Sequence, residues 1–232
     1  KGFYNARIPA ARLQAVMLSC TGGLAAGHFS RVVMSSTQAL PARTAEVSRK
    51  TAETDITVSI NLDGTGVSRL ESGIGFLDHM LEQIVKHGSL DLEMTVKGDL
   101  ETDQHHTMED VALALGEAFK KALGSKKGIG RYGFVIPMDD SLARVAVDFG
   151  GRPYLVWDVD LKREMIGDVP AEMFKHFFRS FCDASGCNLN VRSEGENDHH
   201  KIEAVFKAFG KSVAMAIGKT SDFNIPSTKG VL

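Results

Sequence analysis

The chain has 232 residues, of which 43% are hydrophobic and 24% charged, with a formal net charge of −2. That size and apolar content suit one globular domain or two small halves sharing a core, and no stretch approaches the run of about 18 apolar residues that a membrane span needs. No long basic patch marks a nucleic-acid surface, so neither nucleic acid nor membrane is an expected partner.

The first 45 residues differ from the rest. They carry five basic residues (Lys1, Arg7, Arg12, Arg31, Arg43) and no Asp or Glu, and they are rich in Ala and Ser. From Glu46 onward 22 basic residues face 29 acidic ones. An Arg- and Ser-rich, acid-free leader is the composition of an organelle transit peptide, so residues 1–45 are expected to be an extension and residues 46–232 the working domain. Cys20, Cys182 and Cys187 are too few and too oddly spaced for a disulfide framework. Cys182 and Cys187 are expected to be buried or half-buried thiols in a reducing compartment.

Ile56, Val58 and Ile60 alternate as in a half-buried strand. Phe76, Leu77, Met80, Leu81, Ile84 and Val85 recur at helical spacing, and Gly88 stops them. Leu90, Leu92, Met94 and Val96 alternate again, and a second helix is predicted from near His105 to Leu123, ahead of Gly124. The order then repeats. Val145, Val147 and Phe149 alternate, as do Leu155, Trp157, Val159 and Leu161. Pro170 is placed to open a helix as a first-turn residue, with Met173, Phe174, Phe177, Phe178 and Phe181 on its apolar face. Leu189 and Val191 predict a short strand, and a last helix is predicted from about His199 to Ile217. The pattern predicts an α+β fold of two tandem ββαβα halves, residues 46–127 and 128–232, with their helices packed between two small sheets.

Six of the eight histidines repeat with the fold. The first helix of one half carries His79, followed by His105-His106-x-x-Glu109; that of the other carries His176, followed by His199-His200-x-x-Glu203. Residues four apart on a helix share a face, so His105 and Glu109 can reach one ion together, whereas His106 lies about 100° around the axis. The same holds for His199 and Glu203 against His200. The pseudo-symmetry proposes one ion on His105 and Glu109 and another on His199 and Glu203. His106 and His200 cross to the opposite ions, and His79 and His176 complete the sets. Three imidazoles and a carboxylate suit Zn, Fe, Co or Mn better than Ca or Mg, and ligand softness does not choose among them.

These residues sit in longer motifs: FLDHM (Phe76 to Met80), DQHHTMEDVALALGEA (Asp103 to Ala118), DHHKIEA (Asp198 to Ala204) and STKG (Ser227 to Gly230). From about Arg43 to Val231 the chain resembles imidazoleglycerol-phosphate dehydratase, a hydro-lyase family of histidine biosynthesis. The resemblance implies halves like the second domain of ribosomal protein S5, a 24-subunit assembly whose metal ligands come from neighbouring subunits, and two manganese ions per active site. It implies the ligand sets His79, His106, His199, Glu203 and His105, Glu109, His176, His200. The implied reaction removes water from D-erythro-imidazole-glycerol phosphate to give imidazole-acetol phosphate. A route consistent with the ligands is an imidazolate held by two metal ions, which expels the hydroxyl on the adjacent carbon. Glu53, His79, Glu109 and Glu203 are the candidate catalytic side chains. Glu53 matches a family position near the substrate hydroxyls, and Gln83, one turn after His79, is within reach of substrate. Arg131, Arg152, Lys207, Ser227 and Lys229 match the family's phosphate contacts, and Thr228 belongs to the same loop. The first 45 residues resemble a plant plastid extension, which implies the plastid stroma.

Overall fold

The computed structural model describes residues 42–133, 136–221 and 223–232; the expected extension lies outside them save for its last four residues. Alternating strands need a cover for their apolar face, and in each half a pair of helices supplies it. The first half comprises β1 (Thr44–Lys50), β2 (Thr54–Asn61), β3 (Ser68–Glu71), α1 (Gly75–Gly88), β4 (Asp91–Gly98) and α2 (His105–Leu123). Its sheet order is β1-β2-β4-β3, with β3 parallel to β4 and the other pairs antiparallel. The register sets Ile56, Val58 and Ile60 opposite Val96, Met94 and Leu92, so six apolar side chains are buried on one face.

The second half comprises β5 (Tyr132–Gly133), β6 (Ile136–Met138), β7 (Ser141–Asp148), β8 (Tyr154–Val159), a hairpin of β9 (Met165–Ile166) and β10 (Val169–Pro170), α3 (Ala171–Ser185), β11 (Asn188–Glu194) and α4 (Asp198–Ile217). Its order is β5-β7-β11-β8, with β6 also on β7 and β8 parallel to β11. The strands β1, β2, β4 and β3 therefore correspond to β6, β7, β11 and β8. The two-half α+β architecture is as the sequence implied, but the shared pattern is βββαβα, one strand more than expected, and the second half adds the short β5 and the β9–β10 hairpin. The first strand also begins at Thr44, two residues ahead of the expected boundary. Pro170 precedes α3 as its cap residue, in an extended conformation, instead of forming its first turn.

The helices face one another between the sheets. α2 lies on β1, β2 and β4, α4 lies on β7 and β11, and the halves meet where α1 packs on α4 and α2 on α3. The second-half core is aromatic: Phe174, Phe177, Phe178, Phe181, Phe206 and Phe209 are all buried, and Phe178 and Phe206 have ring centroids 4.9 Å apart. Cys182 and Cys187 are buried free thiols at the end of α3 and the start of β11, with sulfurs 3.8 Å apart.

Candidate metal centre

The HHxxE segments open α2 and α4, and each is capped from two residues back. Asp103 Oδ1 accepts the His105 N–H at 2.7 Å, and Asn197 Oδ1 accepts the His199 N–H at 2.9 Å. These bonds satisfy a backbone donor that a helix start leaves unpaired. The first turns then carry histidine and glutamate on one face: His105 Nε2 lies 3.6 Å from Glu109 Oε2, and His199 Nε2 lies 3.2 Å from Glu203 Oε2.

Packing of one half on the other brings a further histidine to each pair. On α1, His79 Nε2 is 4.0 Å from Glu203 Oε2; on α3, His176 Nε2 is 3.1 Å from Glu109 Oε2. The result is two clusters, His79, His199 and Glu203 and His105, Glu109 and His176, in each of which the candidate donor atoms lie within 4.8 Å of one another. Each cluster takes its lone histidine from the first helix of one half and its His-x-x-x-Glu from the second helix of the other. Phe76 packs edge-on against His199 and His79, with centroids 5.2 and 6.3 Å away.

His106 and His200 stand outside both clusters, as the 100° step from their neighbours requires. His106 Nδ1 is 2.9 Å from Asp99 Oδ2, and its Nε2 is 3.7 Å from Glu53 Oε1. His200 Nδ1 is 2.5 Å from Asp140 Oδ1. The bond to Asp99 raises the pKa of His106, and the bond to Asp140 raises that of His200. The imidazole, in turn, holds the Asp140 carboxyl well below the usual carboxylate range.

The donor set fits a transition-metal ion. His176 Nε2 is buried and, although 3.1 Å from Glu109 Oε2, makes no hydrogen bond, so the cluster holds a buried imidazole nitrogen left without a partner among the protein groups. Burial works to raise the Glu203 carboxyl, but the Lys207 ammonium at 2.7 Å, with His79 and His199, keeps it below its ordinary value and charged. Three donors per cluster leave a place for a fourth; closed structural zinc sites supply four, mostly Cys.

A second feature is a cavity of about 730 Å³ whose lining includes Arg131, Arg152, Ser227, Thr228 and Lys229. Arg131 is fixed there by Asp148, through Nε at 2.5 Å and the second nitrogen at 2.8 Å, and by the Pro226 carbonyl at 2.9 Å. The Lys229 N–H bonds Ser227 Oγ at 3.2 Å, which tightens the loop. Lys207 is not brought to this cavity, because Glu203 holds it. Gln83 turns back along α1, its amide 3.3 Å from the His79 carbonyl and 3.5 Å from His79 Nδ1. Sequence reasoning did not single out Asp99, Asp140 or Asp148, because an aspartate in a polar loop carries no periodic signal.

Fold and clusters together define a class: a duplicated α+β protein with a candidate pair of metal centres on the seams between its halves. A model of the family described as imidazoleglycerol-phosphate dehydratase matches residues 72–213. The chain belongs to that family. A histidine biosynthesis bifunctional protein HisB of Spirosoma linguale is 60% identical over 195 residues, covering 83% of this chain and 51% of the relative. An imidazoleglycerol-phosphate dehydratase of Methanocella arvoryzae is 52% identical over 191 residues, covering 82% of this chain and 100% of the relative. The chain thus spans about half the length of the bifunctional relatives it matches. The crystal structure of imidazoleglycerol-phosphate dehydratase from Staphylococcus aureus is 35% identical with a TM-score of 0.69, covering 76% of this chain and 99% of that one. The Pyrococcus furiosus structure is 32% identical with the same TM-score, covering 80% and 100%.

Proposed function

We propose that this chain dehydrates D-erythro-imidazole-glycerol phosphate to imidazole-acetol phosphate in histidine biosynthesis. The observation that carries the reading is the pairing of two imidazole–carboxylate clusters with a separate cation-lined cavity, inside the fold of a dehydratase family. A substrate with an azole ring at one end and a phosphate at the other needs both.

The residues that would hold the metal are His79, His106, His199 and Glu203 for one ion and His105, Glu109, His176 and His200 for the other. Bound there, a pair of Mn2+ ions supplies Lewis acidity to the nitrogens of the substrate ring. Lys207 keeps Glu203 anionic. Arg152, Ser227, Thr228 and Lys229 bind the phosphate, and Asp148 holds the Arg131 guanidinium at the same cavity wall. Glu53, 3.7 Å from His106 Nε2, is assigned to the substrate hydroxyls on the family position it matches. In the balanced reaction the hydroxyl leaves with a proton as water, the neighbouring carbon loses its hydrogen as a proton, and the enol so formed takes a proton at carbon to become the ketone.

His106 and His200 are held away from the clusters of their own chain, so each four-ligand set draws its fourth member from another copy. This supports the 24-subunit assembly that the family resemblance implies. The acid-free first 45 residues support delivery to the plastid stroma.

The test is turnover by metal-stripped protein with Mn2+ restored. Recovery of an alkali-detectable enol or ketone is expected. Release of inorganic phosphate in its place would assign the same ligands to a hydrolase.

A further inference from the structure

We propose that Asp99 and Asp140 are positioning residues that fix His106 and His200 as Nδ1–H tautomers, so that each presents its Nε2 lone pair to a metal cluster of a second copy. The inference rests on the functional reading above and deepens it.

A neutral imidazole has one N–H and one lone pair, and whatever binds one nitrogen decides which form the other takes. A carboxylate is an acceptor, so it keeps the proton on the nitrogen that faces it. At both His106 and His200 that nitrogen is Nδ1, at 2.9 Å from Asp99 and 2.5 Å from Asp140. Among the described residues the other four repeat histidines hold no such bond. His79 Nδ1 meets the Gln83 amide at 3.5 Å, with the Glu82 carboxylate at 3.9 Å and beyond hydrogen-bond reach, and His105, His176 and His199 face Glu109 or Glu203 through Nε2. Among the described repeat histidines, the two outside the intra-chain clusters are therefore the two whose Nδ1 is hydrogen-bonded to a carboxylate. Such an outer carboxylate orients an imidazole ligand and raises its basicity.

The contact is not a relic of the duplication, because the aspartates stand at non-equivalent places. Asp99 follows β4, in the loop to α2; Asp140 lies in the turn between β6 and β7, which corresponds to the β1–β2 turn of the other half. The Asp140 carboxylate is itself fixed. Asp140 Oδ2 accepts the backbone N–H of Glu196 at 2.7 Å and of Asn197 at 3.0 Å, which ties the turn to the start of α4. The Asp99 carbonyl accepts the Thr102 N–H at 2.8 Å, and its Oδ1 is buried with no hydrogen-bond partner, which leaves His106 as the partner of that carboxylate.

The arrangement at Asp140 makes a sharp test. In Asp140→Asn the amide oxygen is needed by the two backbone N–H groups, so the NH2 faces His200 Nδ1 and donates to it. The imidazole proton then moves to Nε2 and the ligand lone pair is lost. Nitrogen NMR of the metal-free protein should show His200 change from the Nδ1–H to the Nε2–H form. Mn2+ affinity, measured by titration, should fall about tenfold to a hundredfold, the usual loss for an outer partner. Sedimentation with Mn2+ should show smaller particles than wild type. Asp99→Ala tests His106 by the same measurements and needs no rearranged hydrogen bonds. Unchanged tautomers, or unchanged Mn2+ affinity and mass in both variants, would overturn the proposal. Wild-type protein that binds no Mn2+ would instead sink the dehydratase reading, and the tautomers of the metal-free chains would still decide the role of the aspartates.

Discussion

Gly116 and Gly210 stand at matching places, each eleven residues beyond the first histidine of its HHxxE run, and each is where a helix of one half meets a helix of the other. A Cβ at Gly116 on α2 would lie 2.7 Å from the Phe181 carbonyl oxygen and 2.8 Å from the Ala184 methyl group of α3. A Cβ at Gly210 on α4 would lie 3.0 Å from the Ile84 carbonyl and 3.1 Å from the Gln83 carbonyl of α1. These are the two seams that assemble the donor clusters.

Gly116→Ala should therefore destabilise the protein. Alanine gains about 1 kcal/mol of helix propensity over glycine, but forcing a methyl group against backbone costs about 1–3 kcal/mol, and at 2.7 Å the backbone cannot yield cheaply. Gly210→Ala meets looser contacts, so the two terms nearly cancel. Thermal unfolding should show a lower Tm for Gly116→Ala than for Gly210→Ala. The reverse order would mean that the α2–α3 seam relaxes freely.

Elemental analysis of the assembled protein should find about two transition-metal ions per chain, one for each cluster. His105→Ala should lose the ion held with Glu109 and His176, and with it the large assembly. Chelation of the wild type should likewise reduce its sedimenting mass, because metal binding that bridges chains contributes directly to association. An unchanged mass after chelation would show that the copies hold together without the ions.

Lys229→Ala should weaken substrate use without touching metal content. A charge-assisted hydrogen bond to phosphate is worth roughly 1.5–3 kcal/mol, which is about tenfold to a hundredfold in kcat/KM. The loss should largely vanish for a substrate analogue without phosphate. Normal turnover of the phosphorylated substrate would leave the cavity's anion role to Arg152 and its hydroxyl neighbours.

Asp63 supplies a prediction in pH. The Arg43 guanidinium, hydrogen-bonded at 2.6 Å, with Lys219 at 3.1 Å, outweighs burial and holds its carboxyl at about 2, against the ordinary 3.8. Arg43 also donates to the Ile217 carbonyl, so the pair ties the start of β1 to the end of α4. A depressed folded pKa contributes stability that is complete above the unfolded value and lost as pH falls through the folded one. Stability should decline from about pH 4 toward pH 2, and Asp63→Asn should flatten that decline. An equal slope in the variant would assign the acid sensitivity to other carboxylates.

The sequence by itself determined the helices and the ligand inventory. A helix face written as Phe76, Leu77, Met80, Leu81, Ile84 and Val85 folds one way wherever it packs, and the four-residue step fixes His105 beside Glu109 and His199 beside Glu203 through backbone geometry alone. The repeat of that pattern was enough to read two halves. Two strands of the first half escaped the reading because each lies at a sheet edge. β1 buries only Val47 among its seven residues, and β3 is four residues of alternating half-exposed and exposed side chains. An edge strand is held by backbone hydrogen bonds to its neighbour and need not carry an apolar stripe.

Tertiary structure decided which distant side chains meet. No local rule brings His79 to Glu203 or His176 to Glu109; the resemblance to a family implied those sets, and the packing of α1 on α4 and α2 on α3 places them together. It also decided that Lys207 pairs with Glu203, that Asp148 holds Arg131, and that Asp99 and Asp140 stand behind the two remaining histidines. A helix pattern records which residues turn toward a core. Which residue waits on the other side depends on the angle and depth at which two elements dock, and that is set by the packed volume of the whole interface.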